Sequence, residues 1–146
     1  GLILMVISNL IVLSITGGSM AGNETQNREL LSAMPIYAMT TMCILGPFIE
    51  EMLFRKSFRK AFQKKQTFAI VTSLIFASLH VINGFDELTL TCIMQNWTQL
   101  LYFLPYSSLA YFFALAYYET DNIFTSTIAH TIHNTITVLI ILIMGL

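Results

Sequence analysis

An all-α, polytopic transmembrane helical bundle with about five spans is the fold class this sequence predicts, and three observations carry the prediction. Hydrophobic residues make up 55% of the 146 positions and charged residues only 10%, and the mean hydropathy is +0.71, a balance foreign to soluble domains. The apolar residues gather in runs approaching the roughly 20 residues that cross a bilayer core. Six of the seven basic residues, Arg55, Lys56, Arg59, Lys60, Lys64 and Lys65, fall in one stretch, as at one face of a membrane. A net charge of −1 gives no footing for a nucleic-acid partner; the implied partner is the lipid bilayer.

The first run, Leu2 to about Thr16, is short and has the length of a signal-peptide core, but it lacks a basic leader and a small-residue cleavage site, so a span is preferred. The second starts near Pro35, which suits the first turn of a helix, with Ser32 as a candidate cap, and continues through Phe48 towards Arg55. The third covers Thr67 to Asn83, the fourth Leu100 to Tyr118 and the fifth Ile123 to Leu146. Between them lie GGSMAGNETQNRE, RKSFRKAFQKK, GFDELTLTCIMQNW and the tight turn ETDN. Residues 1–146 are read as a single domain, and the opening at Gly1 on an apolar run leads us to expect a piece of a longer protein. Cys43 and Cys92 provide neither a disulfide framework nor metal-ligand spacing. Asn23 and Asn96 head N-x-T triplets, which are frequent by chance.

The positive-inside rule places the basic loop 55–65 on the cytoplasmic side. The second span then descends to the cytoplasm, the third leaves it, the fourth returns and the fifth leaves again. Ionisable groups within spans are costly and mark functional sites. This chain has few, and all three histidines, His80, His130 and His133, lie within apolar runs. At 1.5 Å per residue, Glu50 stands about 15 Å from Lys60 if the second span is one straight helix, His80 about 21 Å from Gln66 and His130 about 13 Å from Asn122, all measured from the same face. Three helices thus deliver polar groups to a similar depth.

Spacing assigns faces. Glu51 and Arg55 are four apart and can pair, which leaves Glu50 turned away by roughly 100°. His130 and Asn134 are also four apart and point together, and Phe76 lies one turn before His80, where it could fix the imidazole. Taken singly, each feature has an ordinary reading: a helix end with snorkelling charges, a structural histidine, a polar tie between helices. It is their order and matching depth that point to a site.

The ordered set Glu-Glu-x-x-x-Arg (EEMLFR, Glu50 to Arg55), Phe-x-x-x-His (FASLH, Phe76 to His80) and His-x-x-x-Asn (HTIHN, His130 to Asn134) resembles the CaaX protease and bacteriocin-processing (Abi-type) family of intramembrane endopeptidases, which includes the Ras-converting CaaX prenyl endopeptidase. Asn83, in FASLHVIN, and the stretch YYETDNIFTSTIAHTIHN agree with it. The resemblance covers about Pro35 to Asn134 and implies about eight spans in a full-length member. His133 is an addition within the last motif with no assigned role.

The chemistry so implied is peptide hydrolysis by an activated water. Glu50, in a low-dielectric setting, is the expected general base, with His80 sharing the water. His130 and Asn134 are expected to donate to the oxyanion. Glu51 with Arg55 is expected to brace the helix, with Phe76 and Asn83 in support. Glu50, His80 and His130 could instead ligate zinc with one position open. No His-Glu-x-x-His is present, and a metal-free mechanism is preferred.

Three other functions compete. An intramembrane serine protease would need a buried Gly-x-Ser, which GGSM around Ser19 matches only loosely, and at the outer end of the first span. A proton- or ion-coupled transporter would need broken helices or repeated halves, neither of which is legible. A bacteriocin self-immunity protein acting by binding would keep its function without Glu50. The resemblance allows prenylated CaaX proteins or small leader peptides and bacteriocins as substrates.

Overall fold

The computed structural model describes residues 1–144, and among them every regular element is helical. The first span is α1 (Leu2–Thr16), a 15-residue helix that ends where Gly17 takes the left-handed conformation, φ 66°. The connection that reads as a polar loop instead forms a helix, α2 (Gly22–Ala33). Its polar composition hides it from a search for apolar runs, and its place is set by contact. Gly22 meets Gly84 so closely that a Cβ at position 22 would lie 2.5 Å from the Gly84 carbonyl oxygen.

The second span, Pro35–Ala61, is continuous but not regular. It begins with α3 (Pro35–Thr40), passes through a π-turn at Thr41–Leu45, resumes as α4 (Gly46–Glu51), widens into a second π-turn at Met52–Lys56, and closes with a 3₁₀ turn at Arg59–Ala61. Pro35 occupies the first turn as expected, but Ser32 lies inside α2 and Met34 precedes Pro35 with no side-chain cap. The straight-helix ruler from Lys60 to Glu50 therefore fails, because the intervening backbone does not keep an α-helical rise. The π-turns are also the helix interruptions that the sequence did not disclose.

The third span is α5 (Lys65–Ile82). A short α6 (Leu90–Gln95), capped by the Thr89 side chain, and a 3₁₀ stretch Trp97–Tyr102 lead into α7 (Phe103–Thr120). After a turn in which Asp121 is left-handed, φ 47°, α8 (Ile123–Met144) completes the bundle. Among the described residues four helices are long and apolar enough to cross a membrane, with α1 as a shorter apolar helix.

Helices α5 and α7 run antiparallel in the most extensive contact of the bundle. Ala69, Ala77, Ala110 and Ala114 are fully buried, and such small side chains let helix backbones approach where lipid supplies no hydrophobic drive. The buried hydroxyls of Thr72 and Ser73 bond back to the carbonyls of Phe68 and Ala69. At the basic end the tie is polar: Lys65 pairs with Glu119 at 2.5 Å, the Tyr118 hydroxyl donates to the Gln63 carbonyl, and the Arg59 guanidinium lies 4.0 Å over the Tyr118 ring. At the other end, Gly22 N–H and the Met20 carbonyl both bond the Gln99 side chain, and Tyr102 donates to the Ser19 carbonyl. Outward faces carry Ile36, Ile49, Ile128, Ile132, Ile136 and Ile143, all exposed, as on a surface solvated by acyl chains.

Candidate active site

A cavity of about 430 Å³ lies between α8, the second span, α5 and α7, and extends to the α1–α2 end of the molecule. One stripe of α8 lines it: His130, His133, Asn134, Thr137, Val138 and Ile141. Their spacing of three and four residues keeps all six on one face, while Ile128, Ile132 and Ile136 point outward. This is the reverse of a soluble amphipathic helix, with the polar groups turned inward. Glu50 and Gly46 contribute from the second span, Phe76 and His80 from α5, and Tyr102, Pro105 and Tyr106 from the fourth span.

The two adjacent carboxylates divide as helix geometry requires. Glu51 is fully buried; its Oε2 accepts from Arg55 Nε at 3.1 Å, and its Oε1 accepts from His130 Nδ1 at 3.1 Å. Arg55 is equally buried and donates through Nη2 to the Ala110 carbonyl at 3.2 Å, so it also ties the second span to α7. Glu50 is turned towards the cavity with its side chain 30% exposed, and its Oε2 lies 3.7 Å from His130 Nε2. His130 thus stands between the two glutamates. A carboxylate only accepts, so Nδ1 carries a proton and Nε2 is the nitrogen that faces Glu50.

The second imidazole is oriented by the same logic. His80 Nδ1 donates to the Phe76 carbonyl at 2.9 Å, leaving Nε2 free on the cavity side. Its ring stacks on Phe76, centroids 4.0 Å apart, and lies 5.0 Å from Tyr106. Phe76 also meets His130 edge-on at 6.1 Å and lies 5.6 Å from the Arg55 guanidinium, so one ring touches three polar members of the site. Phe113 stacks on the remaining face of His130 at 4.7 Å. Sequence reasoning did not single out Phe113 or Tyr106; both are aromatic residues in an aromatic-rich span, and nothing local distinguishes them.

The structure brings Glu50, His80, His130 and Asn134 to one cavity and adds His133, whose ring shares the lining. Asn134 Nδ2 donates to the Met42 carbonyl at 2.9 Å. Asn83 lies elsewhere: it is exposed at the C-terminal end of α5, and its carbonyl accepts from Gln26. Ser19 lies in the α1–α2 turn, outside the cavity walls. Among the described residues, no three His, Cys, Asp or Glu side chains are gathered closely enough to hold a metal ion, Glu50, His80 and His130 included. Cys43 and Cys92 are free thiols.

A family model described as type II CAAX prenyl endopeptidase Rce1-like matches residues 32–136, a span that contains every one of the cavity-lining residues of the second span, α5 and α7 named above, and His130, His133 and Asn134 of α8. A Bacillus subtilis (strain 168) protein named "Putative membrane peptidase YdiL" is 27% identical over 125 residues, which cover 81% of this chain and 44% of that protein. The chain therefore spans less than half the length of that relative. No solved structure matches it.

Proposed function

Because the chain belongs to the type II CAAX prenyl endopeptidase Rce1-like family, we propose that it carries the site of an intramembrane endopeptidase that hydrolyses a peptide bond with a water activated by Glu50 and His80. The observation that carries this reading is the cavity in which Glu50 stands 3.7 Å from His130 Nε2 while Glu51 grips the other nitrogen of the same ring. Glu50 takes a proton from the water as its oxygen bonds to the scissile carbonyl carbon. The same proton passes to the amide nitrogen as the C–N bond breaks. His80 Nε2 is the second hand on the water. His130, held from behind by Glu51, stacked on Phe113 and met edge-on by Phe76, is the oxyanion donor when its Nε2 is protonated.

The substrate class follows from the surroundings and the family: a membrane-associated peptide, either a prenylated protein C-terminus or a small leader peptide. The route needs no metal ion, because Glu50 can activate the water directly; zinc held by Glu50, His80 and His130 is the alternative. The sidedness follows from charge: the loop with Arg59, Lys60, Lys64 and Lys65 is cytoplasmic.

The test is to incubate the full-length protein, purified in detergent, with prenylated and leader-containing peptides and to map cleavage by mass spectrometry. Glu50→Gln keeps the shape of the side chain but not its basicity, and is expected to lower turnover by about 10²–10⁴-fold. Unchanged cleavage by that variant overturns the role given to Glu50, and a function that survives it without cleavage would identify a binding protein, as in the immunity reading. Stoichiometric zinc whose removal and return switch activity off and on would overturn the metal-free route.

A further inference from the structure

Asn134 is expected from the sequence to face the substrate, yet its Nδ2 is directed to a backbone atom on another helix. The reason lies four and five residues further along the second span. The Gly46 N–H, which in an α-helix would bond the Met42 carbonyl, reaches back one residue further to the Thr41 carbonyl. In that π register the N–H of residue 47 would fall next, on Met42, but residue 47 is proline and has none. The Met42 carbonyl is left without a partner in its own helix, and Asn134 Nδ2 supplies one from α8 at 2.9 Å.

Gly46 belongs to the same arrangement. A Cβ there would lie 2.8 Å from the Thr41 carbonyl oxygen, the atom that its own N–H binds, so a side chain at 46 is incompatible with the π-turn. Gly46 and Pro47 thus widen the helix one turn before Glu50. The widening would leave the register of α4 loose unless something closed it. The bond from Asn134 closes it, and it comes from the same helix, one turn along, that presents His130 to Glu50 and Glu51.

We propose that Asn134 is a positioning residue: by capping the Met42 carbonyl that Pro47 leaves unpaired, it locks α4 against α8 and sets Glu50 at its distance from His130. This deepens the peptidase reading and rests on it for its kinetic consequence, whereas the bond itself is observable without activity.

The Met42–Cys43 pair is the one Met-Cys step in the sequence. Labelling methionine carbonyls with ¹³C and cysteine amides with ¹⁵N therefore isolates the Met42 carbonyl resonance within these 146 residues. Asn134→Ala and the near-isosteric Asn134→Leu are both expected to shift that resonance to the unbonded position and to lower kcat by about 10–10²-fold with KM little changed. Pro47→Ala restores an N–H in the π register. In the Pro47→Ala background, adding Asn134→Ala is expected to cost less than threefold in kcat, because Met42 has regained a partner.

A Met42 resonance that does not move in either Asn134 variant overturns the proposal. So does a kcat loss that persists undiminished in the Pro47→Ala background, which would put Asn134 on the reacting atoms. Failure of the parent protein to cleave any of the prenylated or leader-containing peptides would instead overturn the peptidase reading while leaving the resonance measurement to stand.

Discussion

Glu51 is the residue on which most of the site depends. One carboxylate, sealed from solvent, accepts from Arg55 on one oxygen and from His130 on the other. Removing one partner of such a buried pair leaves the other charge without compensation, at a cost of about 3–5 kcal/mol. Arg55→Met should therefore lower unfolding stability in detergent by about that amount. It should also lose the bond to the Ala110 carbonyl, so that Arg55→Lys, which keeps the charge but not the planar fork, recovers only part of the loss. Denaturant titration of the three proteins measures this, and a stable Arg55→Met would show that the pair is not the brace described. The Glu51–Arg55 pairing is legible in the sequence because four residues on a helix bring two side chains together. The bond from His130 to the same carboxylate joins residues 79 positions apart, and no local rule reaches across that separation.

At the scale of the element, two helices depart from what their sequences suggest. The α2 segment reads as a loop because its residues are polar, yet it is helical and docks through a glycine–glycine contact on the end of α5. Gly22→Ala would place a methyl group 2.5 Å from the Gly84 carbonyl oxygen. Overpacking of this kind costs about 1–3 kcal/mol, and here its relief is for α2 to lift away. Limited proteolysis should then cut the 17–21 connection several times faster than in the parent protein, and equal rates would show that the contact does not hold α2. The second span departs in another way, with two π-turns bracketing Glu50 and Glu51. The first has a visible cause in Gly46 and Pro47. At the second, the Met52 carbonyl accepts both the Ser57 N–H and the Ser57 hydroxyl, each at 3.1 Å, a bond pattern that composition and hydrophobic periodicity do not register.

Over the whole molecule, polarity is arranged for a bilayer: isoleucine and leucine outward, hydroxyls, imidazoles and carboxylates inward around one cavity. The long apolar helices and the family together make this an integral membrane protein. The clustered positive charge predicts its orientation. In a background lacking Cys43 and Cys92, Lys60→Cys should react with an impermeant maleimide only from the cytoplasmic side, and Glu87→Cys only from the opposite side. The reverse labelling pattern would invert every span. The cavity reaches towards the α1–α2 end, away from the basic loop, so the sidedness decides which face of the membrane that end of the cavity is nearer.

Composition and run length determined by themselves that this is a helical membrane protein with about five apolar segments, because crossing hydrocarbon imposes a length and a polarity that no tertiary contact can waive. Helical spacing likewise determined that Glu51 pairs with Arg55, that Phe76 lies against His80, and that His130 and Asn134 share a face, because these are consequences of a period of 3.6 residues. What only the tertiary structure decided was the partner of each polar group across helices: His130 on Glu51, Asn134 on the Met42 carbonyl 92 positions away, Gln99 on the α2 start. The physical reason is that a buried polar atom must be satisfied by whatever packing brings near it. That packing is set by where small residues such as Ala110 and Gly22 let backbones close in, and by a proline whose missing N–H is answered from the far end of the chain.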